Sequence, residues 1–298
     1  MKHHRLIAAA SLAAWLSACS ALAPEPTATP SPPVATSTVT PSPTVVPSPT
    51  PPGCLTAPGS VIGGKLQNGK PAQEFLVYLP PCYEYEPQAQ YPVLYLLHGQ
   101  TYEDDQWVRL GAAVAADHLI HSGQAPPFII VFPDDRYWNL PPGAGFGDRL
   151  INEIIPFIDE TYRTLADREH RALGGLSRGG GWALRYALTR YDLFGMVGLH
   201  SPAIFVDDGA ILERLVPAVP ASKWPRLWLD AGDRDGELGT IRKLEALLTY
   251  NGVPHEWHIY AGDHTEPYWQ AHLVEYLRWY AEGFQQEAPQ AAEATPTP

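Results

Sequence analysis

The sequence predicts an α/β fold: a mostly parallel central sheet flanked by helices, with an antiparallel hairpin at its N-terminal edge. Three observations carry this. From Tyr91 onward, short apolar runs alternate with helical patterns, the order that builds parallel sheets. Residues 92–97 (PVLYLL) and 128–132 (FIIVF) are almost continuously apolar, as strands covered on both faces must be. Upstream, two strand-like runs flank Asn68-Gly69, a strong hairpin-turn signal.

The elements follow in order. Residues 60–63 and 74–79 form the hairpin. Cys54 and Cys82 lie symmetrically about Asn68, so the hairpin brings them opposite each other. A disulfide between them is expected in an oxidising compartment; two buried free thiols are the alternative. The strands 92–97 and 128–132 come next. Leu150, Ile151, Ile154, Ile155 and Ile158 give one apolar helical face over 150–162. Residues 171–176 read as a strand that stops at a turn, and 182–188 as a helix. Strands at 196–199 and 226–229 (RLWL), a helix at 238–250, a strand at 255–260 and a helix at 268–284 complete the pattern.

The chain has 298 residues, 45% of them apolar and 17% charged, with a formal charge of −12. That composition supports a sizeable core. The acidic balance argues against a nucleic-acid partner, which needs a surplus of Lys and Arg on some face. Lys2 and Arg5 precede an apolar run from Leu6 to Leu16, too short to span a bilayer and typical of a secretory signal. It ends in Leu16-Ser17-Ala18-Cys19, which resembles a bacterial lipobox. The expectation is a signal peptide over 1–18 and an acylated Cys19 that anchors an exported protein to a bacterial cell membrane or outer membrane. Residues 19–53, rich in Pro, Thr and Ser, cannot bury enough apolar surface to fold. They are expected to form a stalk of about 100 Å when extended in a polyproline-like conformation. The folded unit spans 54–284, and 285–298 is expected to be a disordered tail.

The chemistry concentrates at Gly175-Leu176-Ser177-Arg178-Gly179, a G-x-S-x-G pattern between a strand and a helix. That context suits a nucleophile elbow, whose tight turn leaves no room for side chains at the flanking positions. Such a Ser needs a base. His264 sits in Gly262-Asp263-His264, between the last strand and the final helix, at the sheet edge where Ser177 emerges. His255 and His258 lie in a strand, His118, His121 and His272 on helices, and His170 at the wrong end of its strand. His200 is the rival. The base needs an orienting carboxylate. Asp230, Asp233 and Asp235 follow RLWL. Asp235, past Gly232 on the loop, is favoured, with Asp233 second, while Asp263 is too close in sequence to reach the ring. Two backbone donors are expected to form an oxyanion hole. One is the N–H of Arg178. The other is the N–H of Gln100, in the His98-Gly99-Gln100 loop after PVLYLL. His98 is expected to pack under that loop.

These pieces resemble the esterase D-like family of α/β-hydrolases, which includes feruloyl esterases, enterochelin esterases, S-formylglutathione hydrolases and mycolyltransferases. The resemblance rests on PVLYLLHG, Asp104-Asp105-Gln106-Trp107, Glu153-Ile154-Ile155-Pro156, GLSRGGG, AGDRD and GDHTEPYW, in that order. It implies a triad of Ser177, Asp235 and His264 with an oxyanion hole of Gln100 and Arg178, and it places Trp269 against the His264 loop. The expected activity is hydrolysis of a carboxylic ester through an acyl-enzyme, on small-molecule or carbohydrate-linked esters. Acyl transfer by the same triad, or a surface module that has lost catalysis, are the alternatives. Tyr102, Trp107, Tyr137 and Trp138 fall on loops at the expected rim, where aromatics stack on a substrate ring or pack the loop base. The loop 136–147 is a candidate for shaping the pocket. No metal motif, phosphate loop or dinucleotide fingerprint occurs in the sequence, so the chemistry is expected to be cofactor-free.

Overall fold

A computed structural model describes residues 52–67, 72–135, 146–204 and 208–285. The expected signal peptide, Cys19, stalk, tail and Asn68-Gly69 turn lie outside the described residues. Eight strands form one sheet: β1 (Ser60–Leu66), β2 (Gln73–Leu79), β3 (Val93–Leu97), β4 (Ile129–Pro133), β5 (Arg171–Leu176), β6 (Met196–His200), β7 (Arg226–Gly232) and β8 (Glu256–Tyr260), in the order β1-β2-β4-β3-β5-β6-β7-β8. β1 pairs antiparallel with β2, and β2 with β4; every later pairing is parallel. The hairpin register matches Ser60 with Leu79 and Leu66 with Gln73. Cys54 and Cys82 lie beyond its open end and form the expected disulfide, with Cα atoms 5.0 Å apart.

The helices are α1 (Gln106–Arg109), α2 (Ala112–His121), α3 (Phe146–Arg149), α4 (Ile155–Thr161), α5 (Arg178–Thr189), α6 (Asp208–Leu215), α7 (Leu238–Tyr250) and α8 (Glu266–Gln285). Side chains alternate along each central strand, and both sides are buried. Val93, Tyr95 and Leu97 of β3 and Ile129 and Val131 of β4 join a core with α4, α5, α6 and α7. Leu94, Leu96, Ile130 and Phe132 join a second core with α1, α2 and α8. This two-faced burial is why PVLYLL and FIIVF read as unbroken apolar runs.

Several boundaries differ from the sequence reading, each for a physical reason. The helix expected at 182–188 starts at Arg178. Gly179 and Gly180 suit the helix here because they pack against backbone: a Cβ on Gly179 would lie 2.3 Å from the Leu97 carbonyl oxygen, and one on Gly180 2.9 Å from Pro202 Cα. The helix expected over 150–162 starts earlier, at Phe146, and runs to Thr161. A wide π turn over Leu150–Ile154 joins α3 to α4 next to Pro156, which has no N–H to give the ladder. α2 was read as helical only around His118 and His121, because much of its buried face is alanine: Ala112, Ala115 and Ala116 beside Leu119. β7 continues past Leu229 to Gly232 and carries Asp230 within the strand. β1 runs on to Leu66 although most of it is exposed, as an edge strand allows.

The topology sets where a site belongs. β3 lies between β4 and β5. The chain leaves β3 toward α1 and α2 on one face and leaves β5 toward α5 on the other. At the C-terminal ends of these two strands the connections diverge and open a crevice. The loop after β3 carries Gly99 and Gln100; the turn after β5 carries Ser177.

Candidate active site

Ser177 stands alone between β5 and α5, with φ 51° and ψ −117°. A non-glycine residue there is strained, and the surroundings hold it in place. Its N–H donates to the His200 carbonyl at 3.0 Å, and its own carbonyl accepts from Gly181 N–H at 3.0 Å and Ala203 N–H at 2.8 Å. The turn closes only because its flanks are bare: a Cβ on Gly175 would come 2.3 Å from the carbonyl carbon of Gly179. The result lifts the Ser177 hydroxyl out at the crevice, beside the positive N-terminal end of α5.

His264 meets it from the loop between β8 and α8. The Ser177 hydroxyl lies 2.8 Å from Nε2, and Nδ1 lies 2.9 Å from Asp235 Oδ2. Asp235 comes from the loop after β7, and its side chain is fully buried. Its Oδ1 also accepts the Glu237 N–H at 2.7 Å. Burial pushes this carboxyl up, but the His264 ring, the Glu237 N–H and the nearby Ser201 hydroxyl outweigh it, and the net shift is downward. Asp235 is therefore ionised and fixes the imidazole tautomer: Nδ1–H donates to Asp235, and Nε2 is left to accept the Ser177 proton. Trp269 packs edge-on against the His264 ring with centroids 5.0 Å apart, as the resemblance implied.

The rival side chains have other work. His200 is fully buried, with Nδ1 2.8 Å from Asp230 Oδ1 and Nε2 3.1 Å from the Tyr280 hydroxyl. Asp230 also accepts from Trp228 Nε1, Tyr268 Oη and Tyr276 Oη, so it forms the hub of a buried polar cluster under β6 and β7. Burial, with the Asp230 charge beside them, pushes the Tyr268, Tyr276 and Tyr280 phenols far up, so they remain donors. Asp233 accepts the Gly262 N–H at 2.9 Å, and Asp263 pairs with Arg234 at 3.2 Å. Neither serves the imidazole.

A cavity of about 360 Å³ opens at this point, lined by Gly99, Gln100, Tyr102, Ser177, His264 and Trp269, among others. Arg178 is the first residue of α5, directly after Ser177. Its guanidinium turns to Asp135, with Nε 2.8 Å from Oδ2. Asp135 is buried at the end of β4, a position the sequence reading passed over. Burial pushes its carboxyl up, Arg178 pulls it back, and the net shift is upward. His98 packs beneath the loop as expected. It accepts the Asp135 N–H at Nε2 (2.7 Å), which leaves its proton on Nδ1 for the Gly99 carbonyl at 2.8 Å. Of the four aromatic residues expected at the rim, Tyr102 is exposed and lines the cavity. Trp107 does not reach it. It is buried in α1, where its indole N–H donates to the Leu97 carbonyl at 2.9 Å, because a donor in the core needs a partner. Tyr137, Trp138 and nearly all of the loop 136–147 lie outside the described residues. Among the described residues, no group of three or more His, Cys, Asp and Glu side chains is placed to hold a metal ion.

This geometry has counterparts among known proteins. The Esterase family model matches residues 70–280. An endo-1,4-beta-xylanase/feruloyl esterase of Xylanibacter ruminicola is 32% identical over 214 residues, covering 65% of this chain and 28% of that protein. The iron(III) salmochelin esterase of Escherichia coli O6:H1 is 27% identical over 199 residues, covering 59% of this chain and 47% of that enzyme. The chain thus spans less than half the length of these curated relatives. Among solved structures, a ferulic acid esterase superimposes with a TM-score of 0.69 at 27% identity, covering 76% of this chain and all of that one. An S-formylglutathione hydrolase of Staphylococcus aureus shares the α/β-hydrolase fold, with a TM-score of 0.65 at 18% identity over 75% of this chain and 96% of its own.

Proposed function

The chain belongs to the Esterase family, and on that premise we propose that it is a serine carboxylic ester hydrolase acting through an acyl-enzyme. The observation that carries this reading is the unbroken hydrogen-bond relay from Ser177 Oγ through His264 to the buried Asp235, 2.8 Å and 2.9 Å long. Ser177 attacks the ester carbonyl as His264 Nε2 takes its proton. Asp235 stabilises the imidazolium that forms. The negative charge on the tetrahedral oxygen is met by the backbone N–H groups of Gln100 and Arg178. His264 then returns the proton to the departing alcohol oxygen. A water, deprotonated by the same nitrogen, releases the acid and restores Ser177.

The substrate class proposed is an ester of an aromatic or hydroxy acid, such as a phenolic acid linked to carbohydrate or a siderophore ester. Its support is the Tyr102 and Trp269 rings in the cavity wall, together with relatives named for feruloyl and salmochelin esters. The test is a panel of p-nitrophenyl, feruloyl, acetyl-sugar and siderophore esters, assayed with the parent protein and with Ser177→Ala. The reading expects the variant to lose at least about a thousandfold in kcat on every ester the parent cleaves. Unchanged turnover would reject it.

The N-terminal segment adds a location to this reading. Cys19 in its lipobox-like setting and the Pro-rich residues that follow support an exported esterase held off a bacterial membrane by its stalk. Fatty-acid incorporation in a bacterial host checks this: label present in the parent chain and absent from Cys19→Ser supports the anchor, and label in neither removes it.

A further inference from the structure

The relay uses nothing from the Asp104-Asp105-Gln106-Trp107 motif, yet Gln106 is completely buried close by. Both ends of its amide are engaged. Oε1 accepts the Gly99 N–H at 2.8 Å, and Nε2 donates to Glu266 Oε1 at 3.0 Å. Gly99 immediately precedes Gln100; Glu266 lies two residues beyond His264. One side chain therefore ties the loop after β3 to the first residue of α8, directly after the His264 loop.

The tie adds to two hydrogen bonds on the Gly99 carbonyl, from His98 Nδ1 at 2.8 Å and from the Tyr102 N–H at 3.3 Å. Gly99 has no side chain to limit its own φ and ψ. A Cβ there would lie 2.8 Å from Leu176 Cδ1, so a side chain would have to push the Leu176 methyl aside. The bond to Gln106 holds the Gly99 N–H toward α1, one peptide before Gln100, which lines the cavity. On the other side, Glu266 is held a second time by Arg109 at 3.3 Å. Trp107 anchors α1 itself to the end of β3. Glutamine suits the position because one planar group supplies both an acceptor and a donor.

We propose that Gln106 is a positioning residue for the ester-cleaving reaction, setting the Gln100 N–H and His264 relative to each other through Gly99 and Glu266. This rests on the hydrolase reading above. A donor displaced from the developing oxyanion costs transition-state binding and leaves substrate binding largely alone.

The experiment compares Gln106→Met, Gln106→Glu and the double variant Gln106→Glu/Glu266→Gln in steady-state hydrolysis of a p-nitrophenyl ester, with thermal melts alongside. Gln106→Met keeps the volume and removes both bonds. Gln106→Glu sets one carboxylate against another, and Glu266→Gln restores a donor between the same two positions. The expected result is a fall in kcat of about ten- to a hundredfold in each single variant, with KM within about threefold of the parent. The double variant is expected to regain at least about tenfold in kcat over Gln106→Glu. A folded Gln106→Met with parental kcat overturns the inference. So does a double variant that regains the melting temperature but not the rate, a comparison that decides the matter even if Gln106→Met does not fold. These failures are distinct from failure of the hydrolase reading, which shows as full activity in Ser177→Ala.

Discussion

At the scale of single residues, the site depends on how two carboxylates are treated by nearly equal burial. Asp235 and Asp135 both lie at the C-terminal edge of the sheet, each 5% exposed or less. Asp235 is surrounded by donors and is pulled down. Asp135 has Arg178, but burial prevails and it is pushed up. Their contributions to stability therefore depend on pH with opposite signs. The depressed Asp235 contributes fully above its unfolded pKa of about 3.9, and that contribution is lost as pH falls through its lower folded value. The raised Asp135 favours the folded state most below its unfolded value, and this is lost as pH rises through the folded one. Asp235→Asn separates structure from chemistry. The amide keeps the shape but donates where the carboxylate accepted, so it favours the wrong imidazole tautomer. The expected loss in kcat is about a thousandfold or more. Acid titration of stability should also become flatter than the parent's at low pH, since the variant has no carboxyl there to protonate. A variant with parental kcat would place the orienting acid elsewhere.

At the scale of elements, the strands were far more legible than the helices. The apolar runs of β3 and β4 announced themselves because both faces are buried. The Ser177 turn was legible because its glycines leave a pattern in sequence. α5 was misjudged at its start, since the bare glycines that make close packing possible also suppress a helical signature. Both α2 and α4 were legible as helical, but alanine blurred the start of α2 and the π turn before α4 left no mark in the apolar pattern. His264 and Asp235, expected as base and orienting acid, were picked out by their place after strands, and the structure brings both to the Ser177 turn. Trp107 was left open between substrate stacking and packing, and the structure gives packing, because sequence alone does not show which aromatics turn inward. Gln106 and Glu266 lay inside recognised motifs, but a link between residues 160 positions apart has no local signature. The hairpin carries its own test. Cys54 and Cys82 close a loop of 28 residues' separation and lie far along the chain from the triad. In the chain-entropy view, replacing both by Ser removes roughly 3 kcal/mol of stability. Thermal melts should show the loss while kcat stays at the parental level at temperatures where the variant is folded. A coupled fall in kcat would mean that the hairpin also shapes the site.

At the scale of the whole molecule, four distant segments converge because β3, β5, β7 and β8 run parallel on one side of β4 and end at the same edge. Ser177, Asp235 and His264 follow β5, β7 and β8, and Gln100 follows β3, all at the same strand ends. The neighbouring crevice arises from topology, and the Asp230 cluster beneath it keeps the strand ends rigid: one carboxylate there gathers four side chains from β6, β7 and α8. The measurement that bears most directly on the central claim is intact-mass and peptide mapping after treatment with a fluorophosphonate, which reacts fastest with an activated serine hydroxyl. The account predicts one adduct per chain, on Ser177, and none in His264→Ala. An adduct on another residue, or equal labelling without the imidazole, would contradict it.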